Sequence, residues 1–75
     1  MKVEILSQDK KIFKGEIKSI TLPGKKGQFQ ILKNHAPLFA ILEKGEIILD
    51  QKKRIPIFGG IIHFWNNEMI VLVKI

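Results

Sequence analysis

Gly45-Glu46-Ile47-Ile48-Leu49-Asp50-Gln51-Lys52-Lys53-Arg54-Ile55-Pro56-Ile57 is the stretch that decides the fold class. Ile47 and Leu49 face away from Glu46 and Asp50, and Ile55 and Ile57 alternate with Arg54 and Pro56. A period of two is the mark of strands with one buried face, because successive side chains leave a strand on opposite sides. Gln51-Lys52-Lys53 divides the two runs with a polar turn.

The same pattern spreads outward in both directions. Val3 and Ile5 alternate with Lys2 and Glu4, and Phe29 and Ile31 with Gln28 and Gln30. Between Ile12 and Leu22 the phase changes near Ser19, which predicts a bulge or a strand that switches sheets. Met69 to Ile75 is apolar on both parities and reads as a central strand covered on both faces. Turn signals separate the runs at Ser7-Gln8-Asp9-Lys10, Pro23-Gly24-Lys25-Lys26-Gly27, Lys33-Asn34-His35-Ala36-Pro37, Lys44-Gly45 and Asn66-Asn67. Asn66-Asn67 suits a tight hairpin, since asparagine tolerates positive φ. Pro37 to Leu42 has some helical character but reads as a strand. Short, evenly spaced strands without a crossover helix predict an all-β chain, an antiparallel β-sandwich or barrel, over residues 1–75 as one domain. Val3, Ile5, Phe29, Ile31, Ile47, Ile57 and Val71 are the expected core. Gly59-Gly60 should mark a strand bend needing positive φ or close backbone approach.

Composition narrows the function. The chain has 75 residues, 45% hydrophobic and 27% charged, which is ordinary for one small globular domain. With no cysteine, disulfides, thiolate metal sites and cysteine nucleophiles are excluded. Thirteen Lys+Arg against seven Asp+Glu give +6, and only Arg54 is arginine. That balance favours diffuse attraction to anionic surfaces over bidentate readout of phosphates or bases. The longest nearly apolar run, Ile55 to Trp65, is broken by Pro56, Gly59, Gly60 and His63 and is shorter than the roughly 18 residues of a membrane helix. The expectation is an intracellular, water-soluble chain that meets a membrane only through a partner.

Catalytic and ligand constellations are thin. His35 and His63 have no close spacing to Asp9 or Asp50 that would make a metal site. His63, between Ile61 and Trp65 on one parity, reads as a packed or rim residue. His35 stands in a turn, where functional residues concentrate, although a turn histidine can equally bond its own backbone. Ser7 and Ser19 lack a nucleophile-elbow context, and Glu43 and Glu46 read as solvated strand-end charges. Gly24-Lys25-Lys26-Gly27 has neither the spacing nor the following helix of a phosphate loop. The basic groups Lys10-Lys11, Lys25-Lys26 and Lys52-Lys53-Arg54 all fall in expected turns, where they would serve solubility and guard sheet edges. The alternative is a small basic oligonucleotide-binding β-barrel, which would need exposed aromatics beside the charge. Phe13, Phe29, Phe39, Phe58, Phe64 and Trp65 are scattered through the segments like core residues, with Phe64 and Trp65 on opposite faces. A generic interaction module is a third possibility.

Several segments in order resemble the N-terminal β-sandwich domain of the epsilon subunit of F-type ATP synthases. They are Val3-Glu4-Ile5-Leu6-Ser7, Phe13-Lys14-Gly15-Glu16, Ser19-Ile20-Thr21-Leu22-Pro23-Gly24, Gly27-Gln28-Phe29-Gln30-Ile31-Leu32, Asn34-His35-Ala36-Pro37-Leu38, Gly45-Glu46-Ile47, Phe58-Gly59-Gly60-Ile61 and Asn67-Glu68-Met69-Ile70-Val71-Leu72. The family usually has glycine at Asn34, proline at Lys33 and often glutamate at Gln28. Asparagine is the next best residue for a left-handed turn position. The resemblance implies a non-catalytic central-stalk subunit of a proton-translocating ATP synthase. It would bind the gamma subunit and the c-ring and couple their rotation to ATP synthesis, at the cytoplasmic face of a bacterial plasma membrane. By resemblance, Gln28 and His35 are the partner-binding residues, and no cofactor, metal, nucleotide or nucleic acid is expected. The family's C-terminal helical hairpin has no counterpart up to Ile75. The expectation is therefore a chain that supports coupling without arresting ATP hydrolysis.

Overall fold

A computed structural model describes all 75 residues. All nine elements are strands: β1 Lys2–Leu6, β2 Lys11–Glu16, β3 Ser19–Gly24, β4 Gly27–Leu32, β5 Leu38–Leu42, β6 Gly45–Leu49, β7 Lys53–Ile57, β8 Gly59–Trp65 and β9 Glu68–Lys74. The β6–β7 pair is antiparallel in the register that places Ile47 opposite Ile55. Its turn is closed by the Lys52 N–H donating to the Leu49 carbonyl at 2.9 Å, with Asp50 and Gln51 at φ 50° and 59°. Asn66 and Asn67 form the two-residue β8–β9 turn at φ 52° and 59°, the conformation their short polar side chains tolerate.

The strands hydrogen-bond in the order β2-β1-β9-β8-β5-β3-β6-β7, with β4 added on β3. The link between β5 and β3 is a single residue pair, Gly24 with Leu42. The sheet turns over there, giving two layers, β2-β1-β9-β8-β5 and β4-β3-β6-β7. Inward side chains of both layers make one core of 16 residues, including Ile5, Ile62, Phe64 and Val71 from the first layer and Ile20, Leu22, Ile31 and Ile47 from the second. No side-chain polar group is buried without a partner. The phase change near Ser19 is a chain that leaves one layer for the other: β2 pairs with β1, whereas β3 pairs with β4 and β6. Asp50 secures the crossing, its Oδ1 accepting from the Lys18 and Ser19 N–H groups at 2.7 and 3.0 Å. One ladder is parallel, β1 with β9. Those strands stand at opposite ends of the sequence, so the rest of the fold is their crossover connection.

Several expectations need correction. β9 is central, between β1 and β8, but it is covered on one face only: Met69, Val71 and Val73 are buried while Ile70 and Leu72 are 48% and 45% exposed. Phe29 is half-buried, because its edge strand has a neighbour on one side only. Of the aromatics only Phe64 is fully buried, and Phe39, Phe58 and Trp65 stand more than 60% exposed. Lys11, Lys53 and Arg54 lie at the starts of strands β2 and β7, not in turns. Both strands are at the ends of the sheet path, where charge discourages pairing with other chains. Gly60 behaves as expected, since a Cβ there would strike the Leu72 carbonyl oxygen and crowd Val73 Cα.

Candidate functional site

The outward face of β5, β8 and β9 is the largest departure from an ordinary soluble surface. Register sets Phe39, His63 and Ile70 in one row and Ile41, Ile61 and Leu72 in the next. β1 extends these rows with Glu4 and Leu6. Trp65, opposite Glu68, continues the face toward the β8–β9 turn. Phe39, Ile41 and Trp65 are 66%, 65% and 62% exposed. Side chains of this size standing together on one face mark a binding surface, whereas scattered ones would not. His63 is exposed within this patch, its ring 6.0 Å from that of Phe39. His63 is therefore neither packed in the core nor at a rim, but stands exposed between Phe39 and Ile70.

Gln28 and His35 are both exposed. The structure does not bring them together. Gln28 is the second residue of β4 and His35 follows its end, so the two mark opposite ends of one edge strand. Gln28 and the Lys25-Lys26 turn line a groove with Phe29, Phe39 and Ile41, which joins that end of β4 to the apolar face. His35 is fixed at the other end. Its N–H donates to the Leu32 carbonyl at 3.1 Å, its Nδ1 lies 2.7 Å from the Ala36 carbonyl oxygen, and its ring meets Phe64 edge-on at 6.1 Å. The local backbone contact of a turn histidine is thus present. A carbonyl only accepts, so in this contact Nδ1 is the donor.

Other candidates take ordinary roles. The Ser7 hydroxyl donates to the Lys10 carbonyl at 3.3 Å within its own turn. Glu46 pairs with Arg54 at 3.2 Å across β6 and β7, and Glu4 with Lys11 at 3.6 Å across β1 and β2, both at the surface. The carboxyl of Asp50 is held below the usual aspartate range, first by the Ser19 and then by the Lys18 N–H. Two aromatics carry a lysine over the ring, Phe58 under Lys44 at 5.6 Å and Phe13 under Lys53 at 5.4 Å. Phe39 pairs with His63 and shares a groove with Lys25, Lys26 and Ile41, while Trp65 stands opposite Glu68. No helix is long and apolar enough to cross a membrane. The apolar face was missed in the sequence because both parities of β8 and β9 are largely apolar, and period-two reading cannot say which parity is covered.

The chain is similar to known proteins over its whole length. The family described as "ATP synthase, Delta/Epsilon chain, beta-sandwich domain" matches residues 1–75. The chain is 38% identical over 76 residues to the ATP synthase epsilon chain of Chlorobaculum tepidum, covering 96% of this chain and 86% of that one. It is 37% identical over 75 residues to that of Leptospira borgpetersenii and 35% over 78 residues to that of Nitratiruptor, but spans only 59% and 60% of their lengths. Among solved structures, a chain of the Tetrahymena thermophila mitochondrial ATP synthase central stalk/c-ring shares the fold with a TM-score of 0.83 at 15% identity, covering 99% of this chain and 63% of that one. A chain of the Euglena gracilis mitochondrial enzyme, solved as OSCP/F1/c-ring, also gives 0.83, at 22% identity and with 95% and 48% covered. Whole-length agreement with the family, at 35–38% identity to its curated relatives, shows that the chain belongs to the ATP synthase delta/epsilon family through its β-sandwich domain.

Proposed function

We propose that this chain is a non-catalytic rotor subunit of a proton-translocating F-type ATP synthase, seated between the gamma subunit and the c-ring at the cytoplasmic face of a bacterial plasma membrane. The observation that carries the reading is the uncovered apolar face of β5, β8 and β9 beside a polar, lysine-bearing edge. The two surfaces suit two partners. Phe39, Ile41, Ile61, Ile70, Leu72 and Trp65 offer the large apolar and aromatic contacts that hold a permanent subunit interface. This face takes the gamma subunit. The β4 edge, with Gln28 at one end and His35 at the other, offers hydrogen-bonding groups to the polar loops of the c-ring. Lys25, Lys26 and Lys33 beside them set association rate and salt dependence more than affinity.

A subunit held on both sides transmits torque without chemistry of its own. Its contribution is stiffness: nine strands around one core, with the partner-facing residues on strands or on tied turns. The test is reconstitution of ATP synthase with and without this protein in sealed vesicles. Proton pumping per ATP hydrolysed should rise when the protein is present. Equal pumping per ATP in both preparations would refute the coupling role.

A further inference from the structure

We infer that Asn67 is a positioning residue which, through Asn34, holds the His35 loop in the conformation that presents the imidazole to the partner. The inference rests on the proposed seat of His35 and names the residue that holds that seat in place. The segment Lys33–Pro37 joins the free edge of one layer to the edge of the other. Polar, exposed and free of ladder bonds, such a segment is normally mobile. Here it is clasped to the β8–β9 turn. Asn67, in the β8–β9 turn, accepts the Asn34 N–H at its Oδ1 at 2.7 Å and donates from Nδ2 to Asn34 Oδ1 at 2.9 Å. One side-chain amide thus fixes both the backbone and the side chain of a residue 33 positions away.

Both residues adopt left-handed backbone, Asn34 at φ 67° and Asn67 at 59°. Asparagine is therefore suited to both places for two reasons at once, conformation and the amide group. His35 comes directly after the tie. Its N–H bond to Leu32 and its edge contact with Phe64 then orient the ring, and the Ala36 carbonyl claims Nδ1. Each link restricts the next. Freezing a loop before it binds removes ordering cost from the binding step, which appears as affinity.

The test is a double-mutant cycle on the whole subunit, binding to ATP synthase stripped of it. N67A and H35A should each weaken binding roughly tenfold, and the N67A/H35A variant should bind no worse than H35A alone. Multiplying losses would show that Asn67 does not act through His35 and would overturn the inference. A rescue separates positioning from general stability. In N34G/N67D the glycine keeps the positive φ, removes the oxygen that would oppose the new carboxylate, and still donates its N–H to residue 67. Its affinity should return to within about threefold of wild type, a conservative recovery that a lost clasp would not allow. In the isolated subunit, hydrogen exchange at the Asn34 amide should quicken at least about tenfold in N67A. Unchanged exchange refutes the clasp itself. Quickened exchange with wild-type binding by H35A refutes instead the seat of His35 and the partner half of the inference.

Discussion

The two faces of β8 and β9 carry nearly the same kinds of side chain and have opposite fates. Ile62, Phe64, Met69 and Val71 point inward and are 0–2% exposed, while Ile61, Trp65, Ile70 and Leu72 point outward and are 36–62% exposed. Inward residues meet those of the second layer and stabilise the fold. Outward residues meet only neighbours on the same face, along the rows set by register, with no second layer over them. Hydrophobicity is therefore not the variable that separates folding from binding here. Coverage is, and coverage is decided by which layer lies opposite.

The largest expected effect lies inside. Phe64→Ala should cost about 3–5 kcal/mol in urea unfolding, through lost burial and the cavity left behind. Native stability for a chain of this size is on the order of 4–11 kcal/mol, so the variant should be close to unfolded. A loss under about 1 kcal/mol would mean that the inner face is not the core. Gly60→Ala comes next. The added methyl meets the Leu72 carbonyl, and an overpacking cost of about 1–3 kcal/mol should lower the melting temperature. A variant melting at or above wild type would remove the close approach from the account. On the outer face, Ile41→Gln should change stability by no more than about 0.5 kcal/mol, since the side chain is already mostly in water. Its binding to the stripped ATP synthase should nevertheless fall by roughly tenfold. Equal losses of stability and binding would erase the distinction between the faces.

The smallest effect concerns acid. Asp50 holds its proton less tightly folded than unfolded, because two backbone N–H groups favour the carboxylate. Its contribution is complete above the ordinary aspartate value of 3.8 and is lost as pH falls through the lowered folded value. Asp50→Asn should flatten this part of the stability–pH curve, so that wild type loses its advantage in strong acid. Parallel curves for the two proteins would show that the Lys18 and Ser19 contacts do not act through charge.

Much of the fold was readable because period-two alternation reports side-chain direction directly. Val3, Ile5, Ile31, Ile47, Ile57 and Val71 were all placed in the core on that basis. Asn66-Asn67 announced its hairpin through backbone preference alone. Phe29 was misjudged because alternation gives the face of a strand and not its place in the sheet, and an edge strand buries less. The parallel pairing of β1 and β9 and the clasp between Asn34 and Asn67 join residues far apart in sequence. Neither leaves a local trace. Gln28 and His35 came from the family resemblance. The alternation from Gln28 to Ile31, between two turn signals, already set them at the two ends of one strand.

The most direct test of the rotor seat is disulfide or maleimide cross-linking from single cysteines at positions 28 and 35 within the assembled ATP synthase. The cysteine-free wild type makes each label unique. Products with the gamma or c subunits are the predicted result, and products with catalytic-head subunits alone would contradict it.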